Sequence, residues 1–533
     1  MSAPIDVLVV GAGPAGLAAA IRIRQQLAAT GRDASVVVID KAPRPGHHCL
    51  SGAAFEPACL DELVPGWRDD RRFMEHVIPV ERDEMYFLLG SRAIQLPPLV
   101  VPRPMNHLGD VTISLSRLVA FLAGKAERAG VEIYSGYSAR TLLVEDGRVV
   151  GVGLGEVGLD AHGGDKSNHR TAEEIRARVT ILADGTHGVI STQLRDRFGA
   201  GRHPQVYSLG IKAVVQYADE NAFGTNRVLH TLGYPNPASV FGGGFMYSMG
   251  EKTVAVGLIL GLDWKYGDLT PQREFERYRA HPFIADLLRG SVTVATGAKT
   301  IPEGGYYSLG RLAVPGALVV GDGAGFVNME KIKGIHYAIL SGMAAADTAV
   351  EGLAAADGSA GADGTRVRLA GYVDRLEERG VLPAMRHARN YRQSFRWGIY
   401  PGAPLSLVQD RIPRRLGIEP DFRGTKRGAR LDREDPGGMD GATFVSLTGS
   451  LHREDEPAHM TILDPEKCLS CEADYANSCT HFCPGQVYRW DGGKVVLSAS
   501  NCLHCMTCAV KCPLENIRWQ PPEGGEGPRF NQM

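Results

Sequence analysis

A chain of 533 residues has room for two to four domains at roughly 150 residues each. Its 58 Lys and Arg against 60 Asp and Glu leave a formal charge of −2, without the basic excess that nucleic-acid binders use to neutralise phosphates, so nucleic acid is excluded as a partner. Hydrophobic residues at 44% with 65 glycines give a turn-rich α/β profile, and no uncharged apolar run reaches the roughly 18 residues of a spanning helix.

Residues 1–6 pass straight into a strand without a basic, apolar leader, so a reducing cytoplasm is the expected compartment. The strand ends in glycines, and a helix follows to about Leu27. Gly11, Gly13 and Gly16 hold the G-x-G-x-x-G spacing. Gly11 allows the sharp turn, Gly13 lets the backbone approach a pyrophosphate, and Gly16 lets the helix pack close on the strand with its dipole facing the anion. A second strand, 35–40, ends in Asp40, placed to accept hydrogen bonds from a ribose.

Two later elements favour FAD over NAD. Residues 179–185 read as a strand ending in Asp184 and Gly185, and residues 316–325 as a strand ending in Gly321 and Asp322, with a helix from about Gly334 to Leu353. In flavoproteins of this layout the carboxylate at Asp322 meets the ribityl or pyrophosphate region, and the helix dipole faces the isoalloxazine. No second dinucleotide turn follows a strand, so electrons come from something other than a nicotinamide bound in its own domain. Residues 94–102 are uncharged with three prolines, which rules out a regular helix and suits a hydrophobic mouth or a buried loop. Residues 352–365 read as a surface loop. Residues 386–430 hold eleven Lys and Arg against three acids, with Phe395, Trp397, Ile399, Tyr400, Leu405 and Leu407 interleaved. Such a stretch suits an interfacial membrane patch, a solvated basic face or the docking of an acidic protein donor. No acid/base constellation surrounds His107 or His336, and no catalytic side chain is assigned.

Eight of ten cysteines lie between 468 and 512, past a charged, turn-rich boundary near 430–440. Cys49 and Cys59, outside this cluster, read as small buried residues. Cys502, Cys505, Cys508 and Cys512, followed by Pro513, match the ferredoxin ligand run, and Cys483 before Pro484 can close the same [4Fe–4S] cluster from a distance. Zinc stays open, because paired C-x2-C knuckles also bind it.

With both cofactors placed, the chain resembles electron-transfer flavoprotein:quinone oxidoreductases over essentially its whole length. The resemblance is carried by residues 46–53, 104–109, 242–247, 256–263, 302–305, 325–334, 456–461 and 522–528. It implies an α/β Rossmann-like FAD-binding fold (1–80, 105–210, 295–370), an interleaved α+β quinone- and membrane-facing domain (81–104, 211–294, 371–435) and a ferredoxin-like iron–sulfur domain (436–533). It also implies FAD along Gly11 to Gly16 and near Asp322, quinone beside Gly304 and Gly305, and one cluster on Cys483, Cys502, Cys505 and Cys508. The implied enzyme takes electrons from reduced electron-transfer flavoprotein and delivers them to a membrane quinone. It works as a monomer, peripheral or monotopic, on the cytoplasmic face of a bacterial inner membrane. A subunit of a bifurcating complex and a soluble carrier without a quinone site are the alternatives. Cys512 stands where the family usually has Asp, and Cys468 and Cys471 are absent from many members. With Cys479 they complete a second ferredoxin-like set, so one cluster and two both stay open. Ile335 and Tyr337 replace common threonines, and 395–421 is less apolar than the family's membrane helix.

Overall fold

The computed structural model describes residues 4–52, 54–358, 366–413 and 415–533. Val7 to Val10 are all buried, as expected for a central parallel strand covered on both faces. The strand Ile5–Val10 lies between Val36–Asp40 and Glu174–Leu182, pairing Val7 with both Val36 and Val179. Ala317–Val319 and Glu132–Ser135 extend the parallel sheet on either side. The helix Pro14–Thr30 starts with Pro, whose fixed φ suits the first turn, and ends at Gly31 in the left-handed region. It packs on Ile335–Asp357, where a Cβ on Gly342 would stand 2.2 Å from the Ala15 carbonyl oxygen. That long helix runs four residues beyond Leu353, because Ala354 to Ala356 propagate it into the segment expected to be loop. The rest of that expected loop, 359–365, lies outside the described residues, as does Arg414.

A second, seven-stranded sheet has the order Ser291–Pro302, Tyr207–Tyr217, Thr253–Gly261, Gly242–Ser248, Arg227–Gly233, Arg82–Leu89, Arg92–Gln95. All its pairings are antiparallel except that of Arg227–Gly233 with Arg82–Leu89. The cysteine-bearing end shares one hydrophobic core with this sheet: Phe444, Phe482 and Trp519 pack with Leu209, Ile211 and Phe275. Thr300 donates its amide to the Cys505 carbonyl at 3.1 Å, tying the sheet to the thiol loop. Within this end, Met460–Ile462 pairs with Ile517–Trp519, and a hairpin joins Tyr488–Asp491 to Lys494–Leu497.

Candidate functional site

Gly11 adopts φ +112°, and a Cβ there would lie 2.3 Å from the Ala183 carbonyl oxygen, so the turn admits no side chain. A Cβ on Gly16 would meet the Gly11 oxygen at 2.0 Å, which is the close helix–strand approach expected of it. Around the Cβ position of Gly13 the space is open, and Gly13 lines a cavity of about 700 Å³, a volume within the range of ligand sites. Two helix N-termini, at Pro14 and Ile335, reach this cavity, and neither carries a side-chain cap. Their uncapped amides favour an anionic group.

The acids behave in three ways. Asp40 accepts from the amides of Ala12 (2.6 Å) and Ala42 (2.7 Å), pinning the glycine turn to the second strand. Its carboxylate keeps lone pairs for a ribose hydroxyl. Asp184 lines the cavity but is spent as a cap, accepting from the amides of Ile190 (2.9 Å) and Ser191 (3.0 Å). Asp322 is raised to about 6 by burial, against the pull of Lys299, and Gly321 beside it is held by Ser341. Four lysines line the same cavity: Lys41, Lys212 and Lys299, which the motifs did not mark, and Lys333, which is paired with Asp110. Burial brings Lys41 down to about 8 and Lys212 to about 7, and it lowers Lys299 as well. The open glycine turn, the helix ends and the buried cations fit FAD.

The cavity continues past Gly242, Gly243 and Gly244 to Phe241, Ile399 and Ala403. It opens among Val100, Tyr400 and Leu407, which line it and are also 46%, 65% and 49% exposed. Leu96 and Pro102 of the uncharged, proline-rich segment line it too. Gly304 and Gly305 are not among its walls. The Gly304 amide donates to Gln205 at 2.6 Å, and Gly305 turns at φ +66° into open space. The glycines that do line this cavity are Gly242, Gly243 and Gly244. Cys59 is buried in the first core, whereas Cys49 lines the cavity with its thiol pushed up to about 12 by burial.

A polar chain that was not legible in sequence also reaches the cavity. His230 and Tyr247 line it, with His230 Nε2 2.5 Å from the Tyr247 hydroxyl. His107 stacks on His230 at 4.9 Å, and Asp83 lies 3.4 Å from His107 Nδ1. Burial lowers His230 to about 3, so it is neutral at ordinary pH.

Cys483, Cys502, Cys505 and Cys508 line one small cavity together with Tyr488 and Trp519. The Tyr488 hydroxyl and the Trp519 indole nitrogen are buried there and face thiol sulfurs, Tyr488 that of Cys508 and Trp519 that of Cys502. Burial pushes Cys502 up to about 12 and raises Cys508 well above the ordinary thiol value, so thiolates there need a metal to hold their charge. Four clustered thiols, three of them buried, with two donors aimed at their sulfurs fit a [4Fe–4S] cluster. Met506 and Trp519 are walls of both cavities, and Lys299 donates to the His504 carbonyl at 2.8 Å, inside the thiol loop.

The basic stretch is not one face. Arg392 is buried, pairing with Glu303 and Asp263 at 2.8 Å each and lying 4.3 Å from the Phe241 ring centroid. Arg386 pairs with Glu377 and Arg427 with Asp474, whereas Arg396 and Arg415 stand exposed. Among the described residues no helix is long and apolar enough to cross a membrane.

Residues 438–531 match the model of the electron transfer flavoprotein-ubiquinone oxidoreductase 4Fe-4S domain, and residues 207–301 match the ETF-QO ubiquinone-binding model. Residues 9–64 match an NAD(P)-binding Rossmann-like domain. A probable mitochondrial electron transfer flavoprotein-ubiquinone oxidoreductase of Schizosaccharomyces pombe is 38% identical over 550 residues, covering 99% of this chain and 85% of that protein. The Arabidopsis thaliana mitochondrial electron transfer flavoprotein-ubiquinone oxidoreductase is 36% identical over 551 residues, covering 99% and 84%. A solved structure from Thermoplasma acidophilum, described as geranylgeranyl bacteriochlorophyll reductase-like, aligns with a TM-score of 0.56 at 20% identity. It covers 78% of this chain and 92% of its own, a likeness of fold alone. Because the likeness to the curated relatives runs the length of the chain, through the dinucleotide turn, the glycine-walled sheet and the thiol loop alike, the chain belongs to the electron transfer flavoprotein-ubiquinone oxidoreductase family.

Proposed function

We propose that this protein passes electrons from reduced electron-transfer flavoprotein, through its [4Fe–4S] cluster and FAD, to a quinone drawn from a membrane. One observation carries the reading. A single cavity joins the dinucleotide turn to an exposed apolar mouth, and it shares Met506 and Trp519 with the thiol-lined cavity. A soluble carrier has no use for such a mouth.

When bound, the cluster supplies one-electron transfer and the flavin one- or two-electron transfer, so together they convert single electrons into a quinone's pair. The chain's own residues do the rest. Gly11 to Ala15 and the Ile335 helix end bind and orient negative charge. Lys41, Lys212 and Lys299 hold positive charge beside it. The backbone of Gly242 to Gly244 gives a flat wall for a quinone ring, and Val100, Tyr400 and Leu407 exclude water around its tail. Quinone reduction takes up two protons, and Tyr247, on the cavity wall and bonded to His230, is placed to give one from its hydroxyl. The exposed Leu99, Trp397, Tyr400 and Leu407, with Arg396 and Arg415 close in sequence, suit the headgroup level of an anionic bilayer.

The test is anaerobic titration with reduced electron-transfer flavoprotein, followed by a short-chain quinone, with flavin absorption and cluster EPR recorded. Both signals should change on donor addition and reverse with quinone. Reduction by the donor with no reoxidation by any quinone would leave the soluble-carrier reading in its place.

A further inference from the structure

The eight clustered thiols fall into two separate sets. We propose that Cys468, Cys471, Cys479 and Cys512 ligate a second [4Fe–4S] cluster, distinct from that on Cys483, Cys502, Cys505 and Cys508.

The sequence objection is the seven-residue interval between Cys471 and Cys479, too long for a ferredoxin loop. The structure closes it. Cys468 and Cys471 share one face of the helix Pro465–Tyr475, spaced i and i+3. The helix ends through Ala476 and Asn477, both left-handed (φ 56° and 46°), with the Asn477 amide donating to the Cys471 carbonyl at 3.2 Å. The chain then enters the short helix Cys479–Phe482, returning Cys479 to the same place. Cys512 arrives from the far side, after Thr507–Lys511. This is the crossed arrangement of ferredoxins, in which the cysteine before proline serves the other half's cluster.

Each of the four sulfurs is an electrostatic neighbour of the other three. In the other set, the thiols that most affect Cys483, Cys502 and Cys508 belong to that set. Cys468, Cys471 and Cys479 are each at most 9% exposed. One residue serves two of the sulfurs: Asn516 donates its amide to Cys512 Sγ and its side chain to Cys468 Sγ, both at 3.4 Å. Hydrogen bonds to sulfur are a standard means of setting a cluster's potential. Beside Cys479, the Ser478 hydroxyl and the Asn477 side-chain oxygen are buried, 2% and 4% exposed by residue, and without partners.

Zinc does not suit the spacing. A tetrahedral zinc with bonds of about 2.3 Å holds its sulfurs about 3.8 Å apart. No three thiols of either set converge to within 4.8 Å of one another among the described residues. Wider separation is what a four-iron core requires, since its ligands stand off the corners of a cube.

The inference does not rest on the quinone reading, and its test does not involve quinone. Iron and acid-labile sulfide are counted per FAD in full-length protein purified anaerobically. About eight of each supports two cubanes, and about four of each, with or without a zinc ion, overturns the proposal. A second measurement assigns the ligands. The double variant Cys471→Ser/Cys479→Ser should show a twofold fall in iron, retaining about four per FAD. The reduced EPR spectrum should simplify from two spin-coupled clusters to one isolated cluster. A variant that folds, binds FAD and keeps all its iron would refute the assignment. If the variant fails to fold, the wild-type count decides alone.

Discussion

Replacing Arg392 with Met tests whether this arginine belongs to a solvated basic face or to the core. Its side chain is 4% exposed, and that of Glu303, 2.8 Å away, is fully buried. Met keeps most of the volume but leaves Glu303 without its cation. Removing one partner of a buried pair costs about 3–5 kcal/mol, whereas an exposed arginine would cost less than about 1 kcal/mol. Against a total stability of about 5–15 kcal/mol, the loss is severe. For a cooperative unit of about 150–250 residues, at roughly 2–4 °C per kcal/mol, it lowers the Tm by about 6–20 °C. The deficit also depends on pH. Burial already raises Glu303, and Arg392 is the first group that pulls it back; Ser208 helps, while Asp263 pushes it up. In Arg392→Met the folded-state value rises further. A raised carboxyl contributes its stability fully below the unfolded value of about 4.3 and loses it as pH climbs through the folded value. The variant should therefore melt closer to wild type at pH 5.5 than at pH 8. Adding Glu303→Gln should recover much of the loss at pH 8. Scanning calorimetry of the FAD-loaded protein at both pH values is the assay. A Tm change below about 2 °C that is the same at both values would refute a buried ion pair.

Cys505→Ala should remove the cluster assigned to its set and abolish turnover with the protein donor while FAD stays bound. Iron analysis with a flavin spectrum checks it, and full iron with full activity would discard the ligand set. Tyr247→Phe should slow quinone reduction by about 100-fold with little change in flavin reduction by the donor; stopped-flow mixing separates the two half-reactions, and an unchanged quinone step would remove Tyr247 from proton delivery. Tyr400→Asp with Leu407→Asp should weaken binding to anionic vesicles more than about 10-fold, since each large apolar group withdrawn from water contributes about 2 kcal/mol. Co-sedimentation that ignores both changes would move the membrane surface elsewhere.

The amino-acid sequence by itself determined the elements whose chemistry is local. A turn that must admit a pyrophosphate needs Gly11, Gly13 and Gly16 within six residues, and a thiol loop needs Cys502, Cys505 and Cys508 at intervals of three. Both patterns survive in a string because neighbours in the chain are neighbours in the site. Tertiary structure alone decided what depends on distant partners. Arg392 reads like its ten basic companions until the fold sets Glu303 and Asp263 against it, because burial of a charge is a property of its surroundings. Asp83, His107, His230 and Tyr247 come from separate segments and meet only where Arg82–Leu89, Arg227–Gly233 and Gly242–Ser248 lie side by side. Asp184 carries a motif's carboxylate, yet it caps a helix, since amides at a helix start compete for any acceptor in reach. Gly304 and Gly305 sit beside Glu303, which does line the cavity, but the chain turns away after it. Whether Cys479 could join Cys468 and Cys471 across seven residues turned on two left-handed residues that end a helix, a choice that spacing does not record.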